Sequence, residues 1–493
     1  MTGPWGAGPL IPNAMLSNTE AMFDAIMALN PLSYWTLRGD DANTLHDYGT
    51  LAHDLTLQGT PNPTLDDTPG GDGHSYPISG TNGYMQAVDD AEYTPSNGGI
   101  GLTIVCLVKG LGNSSTSTFL GKANTSGVGE YTCRINDTTG LLACNQVSSG
   151  TAHSQTTDDV LTPSDWNLVF FRFDGANGTP SVRINGLNSY GATAGTGTIV
   201  GNGVEMLKLF GVGSTGANHA LVALAHVAVW DGQFTDAQCK LIEDAATDAG
   251  WVWKSIPVFG STSGIVTSLA DGRTMHKFLV SDTLTVTTPG LAEIWVVAPG
   301  GGGGTHATTG AGGGGAGGLI RRTRRITSSK TITLNAGGAP TPQTGTFPVA
   351  AGNNTFDTLT GNGGGGGGST SSWRAGGVGG CGGGGGTSSG GAGAGSQGGT
   401  GGTGATAGAG GGGNTANGAN ASGTVAGAGG AGIVGPDGLI YCQGGAGEGA
   451  TDPTQTPQTA NSGNGGNAKT AGAGGGQTGQ TGCCMVVHHS AIS

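Results

Sequence analysis

The sequence predicts a mainly β protein: a two-sheet jelly-roll sandwich, then a glycine-rich domain of packed polyglycine II-type helices framed by β-strands. Three observations carry this. Short apolar or alternating runs separated by turn clusters fill residues 34–253, with little helical period. Of the 105 glycines, 66 fall in residues 301–493. Those glycine runs are bounded by apolar strand-like segments, Leu291–Val297 before them and Cys483–Val487 after them. A flexible linker needs no strand at either end; a packed domain does.

At 493 residues the chain exceeds what one compact core supports. The reading is an N-terminal arm and helix over 1–31, a sandwich over 32–250, a connector over 251–271 and a glycine-rich domain over 272–493. Ser17 and Glu20 form a capping box that opens a helix over Asn18–Leu29, with Met22, Ile26 and Leu29 on one stripe for packing on the next domain. Strands are expected at Leu102–Val108, Trp166–Phe173, Val182–Ile184, Val204–Phe210 and Leu221–Trp230. Several are apolar on both faces, as two stacked sheets with covering loops require. Thr235 and Gln238 form a second capping signature before a short helix carrying Leu241, Ile242 and Ala245. Beyond the connector, His276–Val280 and Thr283–Val286 read as a hairpin turning at Ser281–Asp282, followed by strands at Leu291–Val297 and Lys330–Leu334.

Composition excludes several functions. Net charge is −13, with −16 in the first 300 residues and +3 in the remainder, so an acidic half speaks against nucleic-acid partners. The basic knot Arg321, Arg322, Arg324 and Arg325 lies in a strand-like run and reads as a solvated edge. No apolar run is long enough to cross a bilayer, and no secretory signal pattern opens the chain, which is the expectation for a protein assembled in the cytoplasm. The eight cysteines form no C-x-x-C pair, so reduced, buried thiols are expected.

Two resemblances follow from particular residues. Tyr34-Trp35-Thr36-Leu37, the Trp166–Gly175 strand and turn, Val182–Gly186 and the ending Val227–Thr235 resemble the laminin-G-like (concanavalin A-like) jelly roll over about residues 32–250. That family binds glycans or partners, and its resemblance allows Ca²⁺ at Asp40-Asp41 with Asp47, or at Asp89-Asp90. Strand, Val-Val-Ala-Pro, glycine run, Gly-Ala-Gly-Gly and a Thr-Ile-Thr-Leu strand resemble the glycine-rich domains of bacteriophage tail fibres and tail-tip adhesins over roughly 272–493. The resemblance implies a virion tail protein, other tail proteins and a host cell-surface glycan as partners, and a homotrimer. A purely structural tail or decoration protein, and a glycine-rich bacterial surface protein, are the alternatives.

The glycine tracts need their own physical account. Between Arg374 and Asp437 no side chain is charged and few are bulky, so side-chain burial cannot offset the entropy of ordering so many glycines. Ordering must come from backbone hydrogen bonds between neighbouring extended helices of three residues per turn, which can lie side by side only without Cβ atoms. Gly363–Gly368, Gly382–Gly386 and Gly410–Gly413 suit the interior, and Thr400–Ala405 and Ala426–Ala431 the rim. A fully surrounded segment is expected to be all glycine.

Four interruptions, Ala339–Thr360, Ser369–Ala375, Ile433–Gln443 and Ala450–Ser462, supply a side-chain surface. From them Trp373, Arg374, Asp437, Tyr441 and Phe356 are the candidate receptor-binding residues. Trp373 beside Arg374 offers an aromatic face for a sugar and a forked donor, although the same ring would equally cap the lattice. No nucleophile elbow, zinc-binding helix or phosphate-loop lysine is present, Glu205 and Asp174 are isolated in sequence, and His488-His489 reads as an exposed tail. The expectation is a binding protein rather than an enzyme, with no cofactor required.

Overall fold

The computed structural model describes residues 22–37, 44–58, 62–63, 78–79, 84–88, 90–94, 101–110, 117–123, 129–136, 141–148, 151–156, 166–173, 180–189, 192–194, 206–210, 222–248, 257–307, 310–342, 348–369, 374–387, 389–450, 459–470 and 475–489. The chain is mainly β and divides into two units. The first comprises Met1–Ser255 with Thr323–Arg325; the second comprises Ile256–Arg322 with Ile326–Ser493.

The first unit is an antiparallel sandwich. A six-stranded sheet runs in the order Ser33–Trp35, Val222–Asp231, Leu102–Gly110, Asn167–Phe173, Pro180–Ile184, Leu187–Ser189. A nine-stranded sheet faces it, and Phe119 and Tyr131 of that sheet meet Phe171 and Phe173 of the first at ring-centroid distances of 5.9 and 5.0 Å. Side-chain alternation explains why the central strand is apolar on both faces. Val105 and Leu107 of Leu102–Gly110 pack with Met22, Ile26, Cys239, Ile242 and Ala246. The cover is therefore helical, from residues 22–27 and from Asp236–Asp248, where covering loops were expected. The Thr235 cap forms as read, with Gln238 N donating to Thr235 Oγ1 and Thr235 N donating to Gln238 Oε1. Leu241, placed on the helix's apolar stripe by the sequence, is exposed instead. The capping box at Ser17 lies outside the described residues.

A buried ion pair fastens the second helix. Arg183 grips Glu243 in a fork, Nε–Oε1 2.7 Å and Nη2–Oε2 2.8 Å, and both side chains are nearly enclosed. Burial disfavours the guanidinium charge, but Glu243 outweighs it and raises the Arg183 pKa. Removing either partner would strand a buried charge.

The second unit contains a smaller sandwich and the glycine lattice. Its strands are β1 (Val258–Gly260), β2 (Ile265–Ser268), β3 (Arg273–Phe278), β4 (Asp282–Thr288), β5 (Gly290–Val297), β6 (Leu319–Ile326, apart from the Thr323–Arg325 stretch counted with the first unit), β7 (Lys330–Thr333), β8 (Asn354–Phe356), β9 (Leu359–Gly361) and β10 (Cys483–His489). Two five-stranded sheets result, β1-β4-β7-β8-β9 and β2-β3-β10-β5-β6. The stretch 251–271, read as a connector, thus supplies two strands. The expected hairpin of β3 and β4 does not form: β3 pairs with β2 and β10, whereas β4 pairs with β1 and β7. Asp282 is occupied instead with Thr262 and Ser263, tying β4 to the turn before β2. The Arg-rich run does form an edge strand, β6, and Arg321 reaches back to buried Glu293 and over the Trp295 ring.

The sheet containing β10 is buried on both faces. Cys484, Val486, Ile294, Val296 and Phe278 pack in the sandwich core with Ile332 and Phe356. The opposite face, Cys483, Met485, Val487, Trp295 and Val297, packs on Ala316, Cys381, Tyr441 and Cys442 of the lattice. This accounts for the unbroken apolar character of Cys483–Val487. All eight cysteines are buried and free.

The lattice is bonded main chain to main chain with a period of three. In segment 312–318 the amides of Gly312, Gly315 and Gly318 donate to Gly368, Gly365 and Asn362. Those of Gly313 and Ala316 donate to Ala409 and Gly412, and those of Gly314 and Gly317 to Gly466 and Gly463. Its carbonyls accept from three other segments, at Gly301 and Gly304, at Cys381 and Gly384, and at Gly445. Six neighbours therefore surround one segment, whose amides turn through three bonding directions. Where a neighbouring segment is missing, asparagine side chains replace it: Asn464 and Asn467 Oδ1 accept from Gln443 and Ala446 amides, and Asn417 and Asn420 Oδ1 from Thr400 and Thr403 amides.

The tracts assigned to the interior, 363–368, 382–386 and 410–413, are buried throughout, whereas Thr400, Thr403, Ala428 and Ala431 face solvent at three-residue spacing. The central segment is not all glycine. Ala311 and Ala316 are fully buried in it, and the Ala316 methyl belongs to the cluster on the sheet face. Elsewhere a methyl has no room: one added at Gly314 would overlap the Gly301 carbonyl, whereas one at Gly391 would meet nothing within 4 Å. Gly314→Ala is therefore expected to destabilise the second unit by about 1–3 kcal/mol or more. Gly391→Ala should be neutral or stabilise it by up to about 1 kcal/mol. Thermal unfolding of the two variants checks this; equal melting temperatures would contradict lattice packing.

Candidate functional site

The hydrogen-bond register fixes the direction of each lattice segment and so separates two ends. At one end the segments join the strands: Ala298 donates to Gly318, Gly317 to Gly463, Cys442 to Ser462 and Gly463 to Thr481. At the far end the chain reverses repeatedly. Gly304 donates to Gly312, Gly386 to Arg374, Gly404 to Gly390, Ala407 to Gly423, Gly408 to Glu448 and Glu448 to Ala311. The described reversals carry Thr305, Thr341, Ser369 and Glu448, which are buried, and His306, Arg374, Thr387, Ser389, Thr406, Ser422 and Thr424, which are half-buried or exposed; hydroxyls dominate the accessible set.

This end is ordered by the lattice beneath it. Thr305 Oγ1 accepts from Gly476 N at 2.9 Å, and the Thr305 amide donates to Thr341 O. Thr305–His306 also pairs in parallel with Lys469–Thr470. Burial holds the His306 imidazole below its usual pKa and therefore neutral near pH 7. Ser422 and Val425 exchange both backbone hydrogen bonds, closing a tight turn whose Thr424 is exposed. Ser369 is fully buried, and its Oγ has no hydrogen-bond partner among the described residues.

The five residues singled out from the sequence do not converge. Trp373 lies outside the described residues. Arg374 stands at the far end, where its carbonyl accepts from Gly386. Asp437 and Tyr441 lie at the opposite end, on the hairpin formed by Ile433–Val434 and Ile440–Tyr441. There they close a triangle with Lys277 of β3. Lys277 Nζ is 2.9 Å from Asp437 Oδ2 and 2.6 Å from Tyr441 Oη, and Tyr441 Oη donates to Asp437 Oδ2 at 2.7 Å. Burial opposes the Asp437 charge, but hydrogen bonds from Lys277 and Tyr441 outweigh it and keep its pKa below the ordinary carboxylate range. Tyr441 is 1% exposed, and burial pushes its hydroxyl pKa up. The pair thus anchors the hairpin to the sheet and presents no sugar-binding face. Phe356 is a correction of the same kind: it is 2% exposed in the sandwich core, because its strand places it inward opposite Leu359.

Sequence reasoning missed Lys277, whose partners lie 160 and 164 residues away. It also passed over the serines and threonines of the reversals, whose signal was their position where glycine runs stop and restart. Of the acidic residues considered for Ca²⁺, Asp40, Asp41 and Asp89 lie outside the described residues. Asp47 Oδ1 accepts from the Tyr34 and Gly49 amides and Oδ2 from the His53 amide, and Asp90 accepts from Glu92 N. Among the described residues no cluster of three or more His, Cys, Asp or Glu is arranged to hold a metal.

The family model of a glycine-rich domain matches residues 279–488. The match spans the lattice together with most of the strands that frame it. No curated protein matches the chain. Among solved structures, the receptor-binding domain of botulinum neurotoxin mosaic serotype C/D aligns over 62% of this chain and 82% of its own, at 7% identity and a TM-score of 0.33. The binding domain of botulinum neurotoxin serotype D aligns over 63% and 83%, at 7% identity and a TM-score of 0.34. A NanB structure with Optactamide aligns over 38% and 32%, at 14% identity and a TM-score of 0.28.

His488, read as part of an exposed tail, is buried against His276 of the neighbouring strand, with Nε2–Nε2 at 3.2 Å and Phe259 edge-on to both rings. His488 Nδ1 donates to the His489 carbonyl, so its Nε2 accepts and His276 Nε2–H donates. Both rings are therefore neutral. Burial, reinforced by His488, lowers the His276 pKa from 6.5 to about 4. With the folded pKa below the unfolded one, the stability this pair contributes is complete above pH 6.5. It is lost as the pH falls toward 4, because the unfolded state takes up protons first. A loss on the order of 2–3 kcal/mol between pH 7 and pH 4 is expected. His276→Phe should flatten that dependence in urea unfolding of the second unit; an unchanged pH slope would show that other groups carry it.

Proposed function

We propose that this chain is a bacteriophage tail protein, a tail fibre or minor tail component, that recognises a host cell-surface glycan by binding rather than by catalysis. The observation that carries the reading is the convergence of the lattice reversals at one end, opposite the strands. A scaffold held by its own backbone leaves those loops free to vary in sequence without loss of the fold, which is what a recognition surface requires. Their hydroxyl-rich, weakly charged character suits a polyhydroxylated ligand, which is held by many modest hydrogen bonds. The laminin-G-like resemblance of the first unit fits a second contact, with glycan or with a neighbouring tail protein. Assembly in the host cytoplasm and residence in the virion tail follow from the same reading.

Binding of the labelled chain to a panel of bacterial cells tests this, with competition by polysaccharide extracted from a strain that binds. Polysaccharide is expected to displace the chain. Combined Thr387→Gly, Ser389→Gly, Thr406→Gly and Thr424→Gly substitutions should weaken binding at least about tenfold at an unchanged melting temperature. A chain that bound no cell would leave a purely structural tail role. Binding untouched by these substitutions would move recognition away from the far end.

A further inference from the structure

Three of the eight cysteines enter the core of the first unit. Tyr131 of strand Gly129–Asn136 meets Phe173 of the facing sheet, so Tyr131 lies on the interior face of the sandwich. Cys133 stands two residues on and shares that face. The antiparallel register sets Cys133 directly opposite Cys144 of Leu141–Ser148, so both side chains leave the sheet on the same side. Cys106 comes from the other sheet. Its neighbours Val105 and Leu107 pack on the helices, and alternation turns Cys106 inward. All three thiols are fully buried and free.

The register makes Cys133 and Cys144 a pair. Directly opposed residues of antiparallel strands have Cα atoms about 4.5–5.5 Å apart, whichever of the two ladder positions they occupy. A disulfide spans about 4.4–6.8 Å between Cα atoms, so the two backbones already stand within its range. Opposed Cβ atoms lie about 4.5–5.5 Å apart, against about 3.5–4.5 Å across a disulfide. Closing the bond therefore draws the side chains together by about 1 Å at most positions of that range. Among the described strand registers no other two cysteines are opposed: Cys106 faces Val169, Cys483 faces Val297, and Cys484 faces Val296 and Phe278.

We propose that Cys133 and Cys144 are a latent disulfide, a modification site that closes when the sandwich folds in the presence of a disulfide oxidant such as oxidised glutathione. The thiolate of one cysteine attacks a sulfur of the oxidant, forming a mixed disulfide and releasing one glutathione thiolate. The other cysteine, also as its thiolate, attacks the protein sulfur of that mixed disulfide. The bond between Cys133 and Cys144 forms and the second glutathione leaves. Two protein thiols are oxidised, one glutathione disulfide is reduced to two thiols, and the protons pass to the leaving thiolates. Burial decides when this happens. In the closed sandwich burial, reinforced by Cys144 and Cys106, raises the Cys133 thiol pKa well above its ordinary value. The folded pair keeps its protons and is closed to the oxidant. Its state is set while the core is open and preserved once the core has shut. A chain folded under reducing conditions uses both thiols as small apolar groups, and the same chain folded under oxidising conditions clasps two strands of the nine-stranded sheet. The inference rests on the sandwich alone and on no reading of its function.

Refolding of the full chain from denaturant tests the proposal, once with dithiothreitol and once with a mixture of reduced and oxidised glutathione. Thiols are then counted in denaturant and linked peptides identified by mass spectrometry. Eight thiols are expected after the first refolding and two fewer after the second, with the link mapping to Cys133 and Cys144. The oxidised chain should keep a cooperative thermal transition of the first unit and melt higher, because the link constrains the unfolded chain. Cys106→Ala should leave the link intact and Cys144→Ala should abolish it. If the chain does not refold, the same count on material produced in the cytoplasm and in the periplasm of one bacterial host decides. Eight thiols under oxidising conditions, a link that maps to any other pair, or one confined to material without the cooperative transition would overturn the assignment.

Discussion

The glycine lattice of the second unit depends on one close approach: an amide of one segment reaching a carbonyl of the next over a Cα that carries no side chain. The packing around Gly312–Gly318 repeats this contact in six directions. Its strength does not come from any single bond, since each is worth about 0.5–1.5 kcal/mol net. It comes from the fact that every buried amide would otherwise lack a partner, which is costly. The composition follows. Charges and large side chains are excluded because no space exists for them, and asparagine enters where its amide can imitate a missing neighbour.

The same constraint explains where side chains do occur. The sheet β2-β3-β10-β5-β6 buries one face in an ordinary hydrophobic core and offers the other to the lattice, so Ala316, Cys381 and Tyr441 can sit where glycine would leave a gap. Side-chain packing and backbone packing meet along that face. Among the described residues the lattice is thus joined to a conventional core along the sheet face, away from its reversals.

Much of this was legible in the sequence. The sandwich strands, the Thr235 cap, the buried free cysteines and the division of glycine tracts into interior and rim were all readable. They depend on local pattern and on the presence or absence of a Cβ. What escaped was pairing at long range. The β3 and β4 segments have the spacing and turn of a hairpin, yet they enter different sheets because β10 competes for β3. Phe356, Asp437 and Tyr441 looked available because they interrupt glycine. Their partners, Ile332 and Lys277, are set by topology, which no local pattern reports. His488 was misjudged for the same reason: a neighbour of His276 in space, it stands 212 residues from it in sequence.

That separation bears on how the molecule is made. β10 lies between β3 and β5, so the sheet stays incomplete until residue 489 has left the ribosome, while the strands it joins emerged long before. At about 5–20 residues per second, translating the intervening stretch takes on the order of 10–40 s. During that time the glycine tracts have no wall to assemble against. Closure is therefore a late, post-synthetic event governed by loop entropy rather than local propensity. The first unit can mature while the second is still waiting for its keystone.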